Sequence, residues 1–192
     1  MKLLNAITLS TVISLSALLG AEFNVDKTHS NIGFKVRHMM VSYTRGHFED
    51  FEGSYDYDDS SKTIRSLEGI VKVASIDTRD EKRDKDLRDT GFFDAKKYPL
   101  MKLRLIKHNG NKVLVDLTIK KTTRQVQFEL EDLGGESKDP WGNIRNGFVL
   151  KGEINRKNFG MNLSQVLETG GIAVGNEVKI TLEIEGIKTQ SN

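Results

Sequence analysis

The chain contains no cysteine. No disulfide framework can hold it, and its stability must come from a packed interior. Charge of one sign is missing as well: 29 lysines and arginines stand against 27 aspartates and glutamates, for a formal net charge of +2. Interleaved, nearly balanced charge lacks the basic footprint that nucleic acid demands and gives no bulk electrostatic pull toward a membrane surface. There is no internal repeat and no low-complexity tract. The motifs of hydrolysis and metal binding are absent too: no G-x-S-x-G elbow, no H-E-x-x-H and no His-x-His pair. Nothing in the residues asks for an enzyme, a resident cofactor or a metal.

One apolar run is present, at the start. Met1 and Lys2 precede an uncharged stretch from Leu3 to Ala21 that ends in small residues, Ala17, Gly20 and Ala21. That is the layout of a cleaved secretory signal peptide. A transmembrane anchor fits less well, because Asn5, Thr8, Ser10, Thr11, Ser14 and Ser16 dilute the run, and a spanning helix needs about 20 predominantly apolar residues. Residues 1–21 are therefore read as a signal peptide and 22–192 as one domain. Export without disulfides suits a bacterial periplasm.

Past the leader the pattern is apolar–polar alternation of period two, the mark of half-buried strands. Ile32, Phe34, Val36, His38 and Met40 share one face. Phe51, Gly53, Tyr55 and Tyr57 alternate next, then Leu67, Gly69, Val71, Val73 and Ser75. Met101, Leu103 and Leu105 lead into an HNGN turn at His108 to Asn111, whose Asn-Gly favours a hairpin with positive φ at both central positions. Val113, Val115, Leu117 and Ile119 follow, then Val126, Phe128 and Leu130. The stretch DLGGESKDPWGN reads as a loop. Phe148, Leu150 and Ile154 belong to a seventh run that starts at Ile144, and Val178, Ile180, Leu182 and Ile184 to the last. Eight alternating strands joined mostly by short turns predict an all-β antiparallel meander. Closed into a barrel, it would lose its sheet edges and be wide enough for side chains or one small ligand; a two-sheet sandwich satisfies the same periodicity.

One stretch breaks the rhythm: SIDTRDEKRDKDLRDTGFFDAKKYP, from Ser75 to Pro99. Thr78 and Glu81 read as a capping box, Asp77 and Asp80 load the first turn with negative charge, and Gly91 sits where a helix C′ residue belongs. The spacing predicts a surface helix of about three turns, inserted after the third strand, with Leu87 its one large apolar residue and Phe92 and Phe93 at its foot. Its mixed charges read as solvated pairs at i,i+4 in preference to an anion clamp by Arg79, Arg83 and Arg88. His29, His38 and His47 are spaced by nine. Odd spacing places neighbours on opposite strand faces, so they are not expected to share a metal, and His38 is expected inside.

The segments DKTHSNIGFKVRH (Asp26 to His38), Gly46 to Phe48, SIDT (Ser75 to Thr78), RDKDLRDTGFFDAKKYP (Arg83 to Pro99), DLTIKKTTRQVQF (Asp116 to Phe128) and INRKNFG (Ile154 to Gly160) resemble the YceI-like family of exported lipid-binding proteins, in order and across nearly the whole chain. The resemblance implies a lipocalin-like barrel with an elongated apolar tunnel for a polyisoprenoid, an isoprenoid quinone, or a fatty acid or amide. It marks His29, Ser30, Phe34, His38, Thr78, Arg83, Phe92, Phe93 and Tyr98. Joined to the inward phase of the strands, it gives an expected ligand wall of Phe34, Val36, His38, Phe48, Val71, Val73, Thr78, Arg83, Phe92, Phe93, Met101, Leu103, Val115, Leu117, Phe128, Phe148 and Leu150. Two departures from the family pattern are visible: Leu100-Met101-Lys102-Leu103 replaces an aromatic after Tyr98-Pro99, and Lys121 stands where a turn glycine is usual. The partner expected on this reading is an amphiphilic lipid, with a homodimer and transient membrane contact compatible with it; a packed, non-binding interaction module of the envelope is the alternative.

Overall fold

Alternation closes on itself. The computed structural model describes residues 21–163 and 173–189; apart from Ala21, the expected signal peptide lies outside them. In chain order the strands are β1 (Ala21–Val25), β2 (Asn31–His38), β3 (Ser42–Phe48), β4 (Phe51–Asp58), β5 (Thr63–Lys72), β6 (Ile76–Asp77), β7 (Leu100–Asn109), β8 (Lys112–Ile119), β9 (Thr122–Leu133), β10 (Ser137–Lys138), β11 (Ile144–Asn155) and β12 (Val174–Lys188), with one α-helix, α1 (Glu81–Arg88), between β6 and β7. All pairings are antiparallel. Neighbour follows neighbour in the ring β11-β9-β8-β7-β5-β4-β1-β12, and β12 returns to β11 to close eight strands into a barrel. The sandwich alternative is thereby excluded.

The barrel has one extension. β12 is long enough to pair first with β1, through Lys188 to Gly186, and then with β2, through Glu183 to Val174. β1 and β2 are thus one strand broken by a 3-10 turn at Lys27–His29, and β3 and β4 are its broken partner. β3 has β2 on one side, but on the other only the two-residue β6 at His47 and Phe48. The helix and the loop after it lie beside that edge.

Several sequence expectations change here. β3 was not anticipated: SYTRGHF has too few apolar residues to show alternation. β2 ends at His38 because Met39 and Met40 turn with φ of 49° and 61°, so Met40 is exposed and does not continue the inward face. β5 ends at Lys72, and Val73–Ser75 coil into a 3-10 turn. The hairpin after β7 closes on Asn109 and Lys112, and only Gly110 of the two loop residues has positive φ (62°), which is the II′ pattern and not the I′ one. His108 fixes that turn, accepting from Ile64 N at 3.0 Å while its other ring nitrogen meets Gly110 O at 2.7 Å. The polar loop after β9 contributes β10, paired to β11 at Ile144 and Arg145.

The helix is eight residues, about two turns. Its N-cap is Asp80, whose side chain accepts from Arg83 N, and its C-cap is Asp89, one residue earlier than Gly91 at C′ suggested. Thr78 is not the cap. It is buried, and both its N–H and its hydroxyl donate to Asp84 Oδ1, at 2.9 and 2.6 Å. Asp84 is therefore a buried latch and not one of a solvated pair. Arg83 donates back to Thr78 through Oγ1 (2.7 Å) and O (2.6 Å), and Arg88 donates to Ile76 O at 2.9 Å. A polar helix with one apolar residue cannot hold itself on a core by hydrophobic burial alone; charge-assisted bonds to Ile76 of β6 and to Thr78 just after it supply the attachment.

Candidate functional site

The interior is filled at one end and hollow at the other. At the filled end Phe23 stacks on Tyr55 with ring centroids 5.2 Å apart, and Tyr55 meets Phe148 edge-on at 4.9 Å. The Tyr55 hydroxyl donates to Asn146 O at 2.8 Å, and burial raises its pKa. Tyr57, Ile64, Val113, Val115 and Leu150 complete this packed zone, all essentially inaccessible. Over it sits a polar knot: Arg145 donates to Asp26 (2.8 Å), Asp139 (2.8 Å) and Glu185 (2.6 Å). Arg145 pulls the Asp26 carboxyl down to about 2 and the Asp139 carboxyl lower than its usual range. His29 joins Asp26 at 2.8 Å, and Ser30 Oγ bridges the Glu185 backbone. The carboxylates here face a guanidinium that fills the space between them.

The hollow end encloses a cavity of about 170 Å³ with an almost wholly apolar wall. β12 runs its length, contributing Val174, Val178, Ile180, Leu182 and Ile184. Ten residue steps at ~3.3 Å each make that about 33 Å of strand, so the cavity wall is elongated along the barrel. Facing β12 are Leu67 and Val71 of β5, Met101 and Leu103 of β7, Leu117 and Ile119 of β8, and Phe128 of β9. Burying such side chains against an aliphatic chain is worth ~25 cal/mol per Å² of apolar area removed from water.

The third wall is the break in the strand pattern. Phe34 tilts onto Phe48 (5.8 Å between centroids), and Phe93 meets Phe48 edge-on at 6.0 Å. Gly46 makes this possible, because a Cβ there would lie 2.5 Å from the Phe34 ring and 2.7 Å from Thr78 Cγ2. Leu87 of α1 and Phe92 and Phe93 of the following loop line the cavity from the helix side. Lys120, left-handed at φ 57°, ties that loop to the β8–β9 turn by donating to Phe92 O at 2.8 Å; the positive φ falls on Lys120 and not on its neighbour Lys121. At the end of the cavity Arg156 is buried among carbonyls, donating to Met161 O (2.6 Å), Leu163 O (2.8 Å) and Gly175 O (2.9 Å), and burial lowers its pKa.

The expected ligand wall divides accordingly. Phe34, Val36, Phe48, Val71, Phe92, Phe93, Met101, Leu103, Leu117 and Phe128 line the cavity together. Val115, Phe148 and Leu150 face inward but belong to the packed zone, and Val73 is buried in the 3-10 turn, its N–H donating to Pro99 O. Thr78 and Arg83 form the helix latch outside the cavity wall. His38 also lies outside it, at the last β2 pair opposite Ser42 and Val174, because the strand turns away immediately afterwards. His29, His38 and His47 stand in three separate places. The residues missed were those of β12 and Val25, Ile32, Phe51, Leu67, Leu87, Ile119, Ile154, Arg156 and Met161; the β12 alternation of Val178, Ile180, Leu182 and Ile184 was a sufficient signal for the largest group.

Comparison with known proteins follows the same outline. The profile of the YceI-like domain matches residues 23–186. A UPF0312 protein of Staphylococcus epidermidis is 39% identical over 165 residues, covering 85% of this chain and 96% of the relative. The crystal structure of a YCEI protein of Campylobacter jejuni superposes with a TM-score of 0.69 at 28% identity, covering 86% of this chain and 96% of that one. A polyisoprenoid-binding domain from Saccharophagus degradans, implicated in plant cell wall breakdown, shares the fold with a TM-score of 0.62 at 11% identity, over 87% and 98% of the two chains.

Proposed function

The chain belongs to the YceI-like family, and from that premise we propose that it is an exported, soluble binder or carrier of a long amphiphilic lipid, held with its hydrocarbon chain in the hollow half of the barrel. The observation that carries the reading is the cavity: elongated, apolar on nearly every side, and bordered by a polar helix and its following loop, which present Leu87, Phe92 and Phe93 inward. An apolar void of this kind is a poor site for water and a good one for hydrocarbon. The shared fold of a polyisoprenoid-binding domain supports the same chemistry, and a polyisoprenoid, an isoprenoid quinone or a fatty acyl chain would each fit it. The almost wholly apolar lining supports binding as its use. The uncharged, small-residue-ending run at the start of the chain supports a periplasmic location for that activity.

Native mass spectrometry of the purified protein, followed by organic extraction, tests this directly. The expected result is a co-purifying hydrophobic adduct that disappears on extraction with a fall in melting temperature, because a ligand that binds only the folded state stabilises it. A clean apo mass after mild preparation, with melting unchanged when lipid is offered, would favour the packed interaction module instead.

A further inference from the structure

The tip of the β2–β3 hairpin, just past the His38–Val174 pair, carries what a soluble turn should not. Its tip is Met39-Met40-Val41, with exposures of 44%, 58% and 80%. Both methionines are left-handed, at φ 49° and 61°, a conformation that non-glycine residues adopt at a cost and that Asn or Gly would normally supply. Elsewhere left-handed turn positions are filled by Gly110 or by single polar residues, Lys62 and Lys120, whereas the tip sets two apolar residues there in succession. At the tip the chain accepts backbone strain in order to present three consecutive apolar side chains to solvent. The turn is nonetheless ordered by Met39 N donating to Ala173 O at 2.9 Å and Val41 N to His38 O at 3.1 Å.

Directly below the tip, one face of the hairpin is cationic. Lys35 pairs with Arg45 and Arg37 with Tyr43 across the two strands. Arg37 lies 4.7 Å and Lys35 5.7 Å from the Tyr43 ring, which is itself 40% exposed. None of Lys35, Arg37 and Arg45 makes an ion pair among the described residues. An apolar knob above a belt of cations and an interfacial tyrosine is the pattern by which a protein lies in the surface of a bilayer. The near-neutral whole chain conceals it, because the positive charge is local.

We propose that this hairpin is a membrane-docking wedge: Met39, Met40 and Val41 enter the interfacial layer of an anionic bilayer while Lys35, Arg37 and Arg45 face its headgroups. The positive charge, unpaired among the described residues, favours a fluid anionic surface over a second copy of the chain, whose identical cations would repel. Continuity with the cavity adds a reason for the position, since Val36, two residues before His38, and Val174, paired to His38, both line it. Docking itself does not require an occupied cavity, so it stands or falls separately from the lipid-carrier reading.

The test is co-sedimentation of the full processed chain with vesicles of phosphatidylcholine alone and of phosphatidylcholine with 30% phosphatidylglycerol (a composition of about that ratio suffices to give a negative surface potential). Wild type should partition to the anionic vesicles and be released by salt. Met40→Asp with Val41→Asp should weaken that partitioning by about tenfold or more, since apolar burial is a main component of interfacial binding. Arg37→Gln with Arg45→Gln should weaken it by about fivefold for each cation, with no effect on neutral vesicles. Trp141→Ser, at an 81% exposed residue near the packed end, should change nothing. All three variants alter surface positions; matched circular dichroism and an unchanged cavity adduct in native mass spectra confirm that fold and cavity are intact. Absence of wild-type partitioning, equal partitioning by the hairpin variants, loss in Trp141→Ser, or a concentration-dependent dimer abolished by the aspartates would each overturn the proposal.

Discussion

The two ends of this barrel are written in the same alternating code and do opposite things. At one end the inward phase carries Phe23, Tyr55, Tyr57 and Phe148, rings large enough to meet across the barrel and leave no space. At the other it carries Val36, Val174, Val178, Leu103 and Leu117 together with Phe34, Phe48 and Phe128, which line a cavity instead of filling it. An eight-stranded barrel is near the width at which side-chain size decides between a core and a container. How the inward side chains meet across the barrel, as the Phe23–Tyr55–Phe148 rings do, therefore separates the packed base from the hollow half, and the helix and the loop after it border the hollow half.

The sharpest way to break this comparison is to truncate one inward side chain at each end. Phe148→Ala should cost about 3–5 kcal/mol in urea unfolding, and the loss should be the same in lipid-loaded and extracted protein, because the packed end never meets ligand. Leu103→Ala, on a wall that already faces a void, should cost the extracted protein clearly less than the roughly 2–5 kcal/mol of a tightly packed leucine, while reducing the extra stability that lipid confers. If both variants lose the same amount in both states, the division into a packed and a hollow half fails.

The helix latch comes next in size. Asp84→Ala leaves the buried Thr78 N–H and hydroxyl without their acceptor, a loss on the order of 1–3 kcal/mol. It should appear as faster amide exchange in Glu81–Arg88 and faster lipid release, with little change in the strands near Tyr55. Replacing Phe92 and Phe93 together by serine should likewise act on release, since truncating contacts in a closed complex raises the off-rate. Arg83→Gln and Arg88→Gln should loosen the helix whatever the lipid headgroup, because their guanidinium groups are spent on Thr78 and Ile76 carbonyls.

The smallest effect is that of pH. Arg145 holds Asp26 at about 2, below its ordinary 3.8. A carboxyl depressed in the folded state stabilises it fully above the unfolded pKa, and that contribution is lost as pH falls from about 4 through 2. Melting temperature should decline over that window, and Arg145→Met should flatten the decline while lowering stability at neutral pH. An unchanged acid limb in Arg145→Met would show that the knot at the packed end does not set acid stability.

How much of this was legible from sequence follows from what alternation encodes. Period two gives the face of a residue, so Phe34, Val71, Leu117 and Phe128 were placed inside. It does not give height along the barrel, so Val115, Phe148 and Leu150 were assigned to the ligand wall although they fill the base. β3 was invisible because SYTRGHF carries almost no apolar alternation, and its Gly46 leaves the room that Phe34 needs. Thr78 resembled a cap because a threonine three residues before a glutamate has that signature, yet tertiary contact with Asp84 claims its side chain. His38 was drawn inward by counting on past Val36, and only the positive φ of Met39 and Met40 shows where counting must stop.

The central claim, that the hollow half holds hydrocarbon, is tested most directly by titrating extracted protein with a series of saturated fatty amides of increasing length, in wild type and in Val178→Phe, which narrows the wall without touching the packed end. The account predicts that wild-type affinity tightens by about fourfold per added methylene, the equivalent of ~0.8 kcal/mol each, until the chain fills the cavity, and that Val178→Phe reaches its plateau at a shorter chain. Affinity that is flat with chain length, or a plateau unmoved by Val178→Phe, would contradict it.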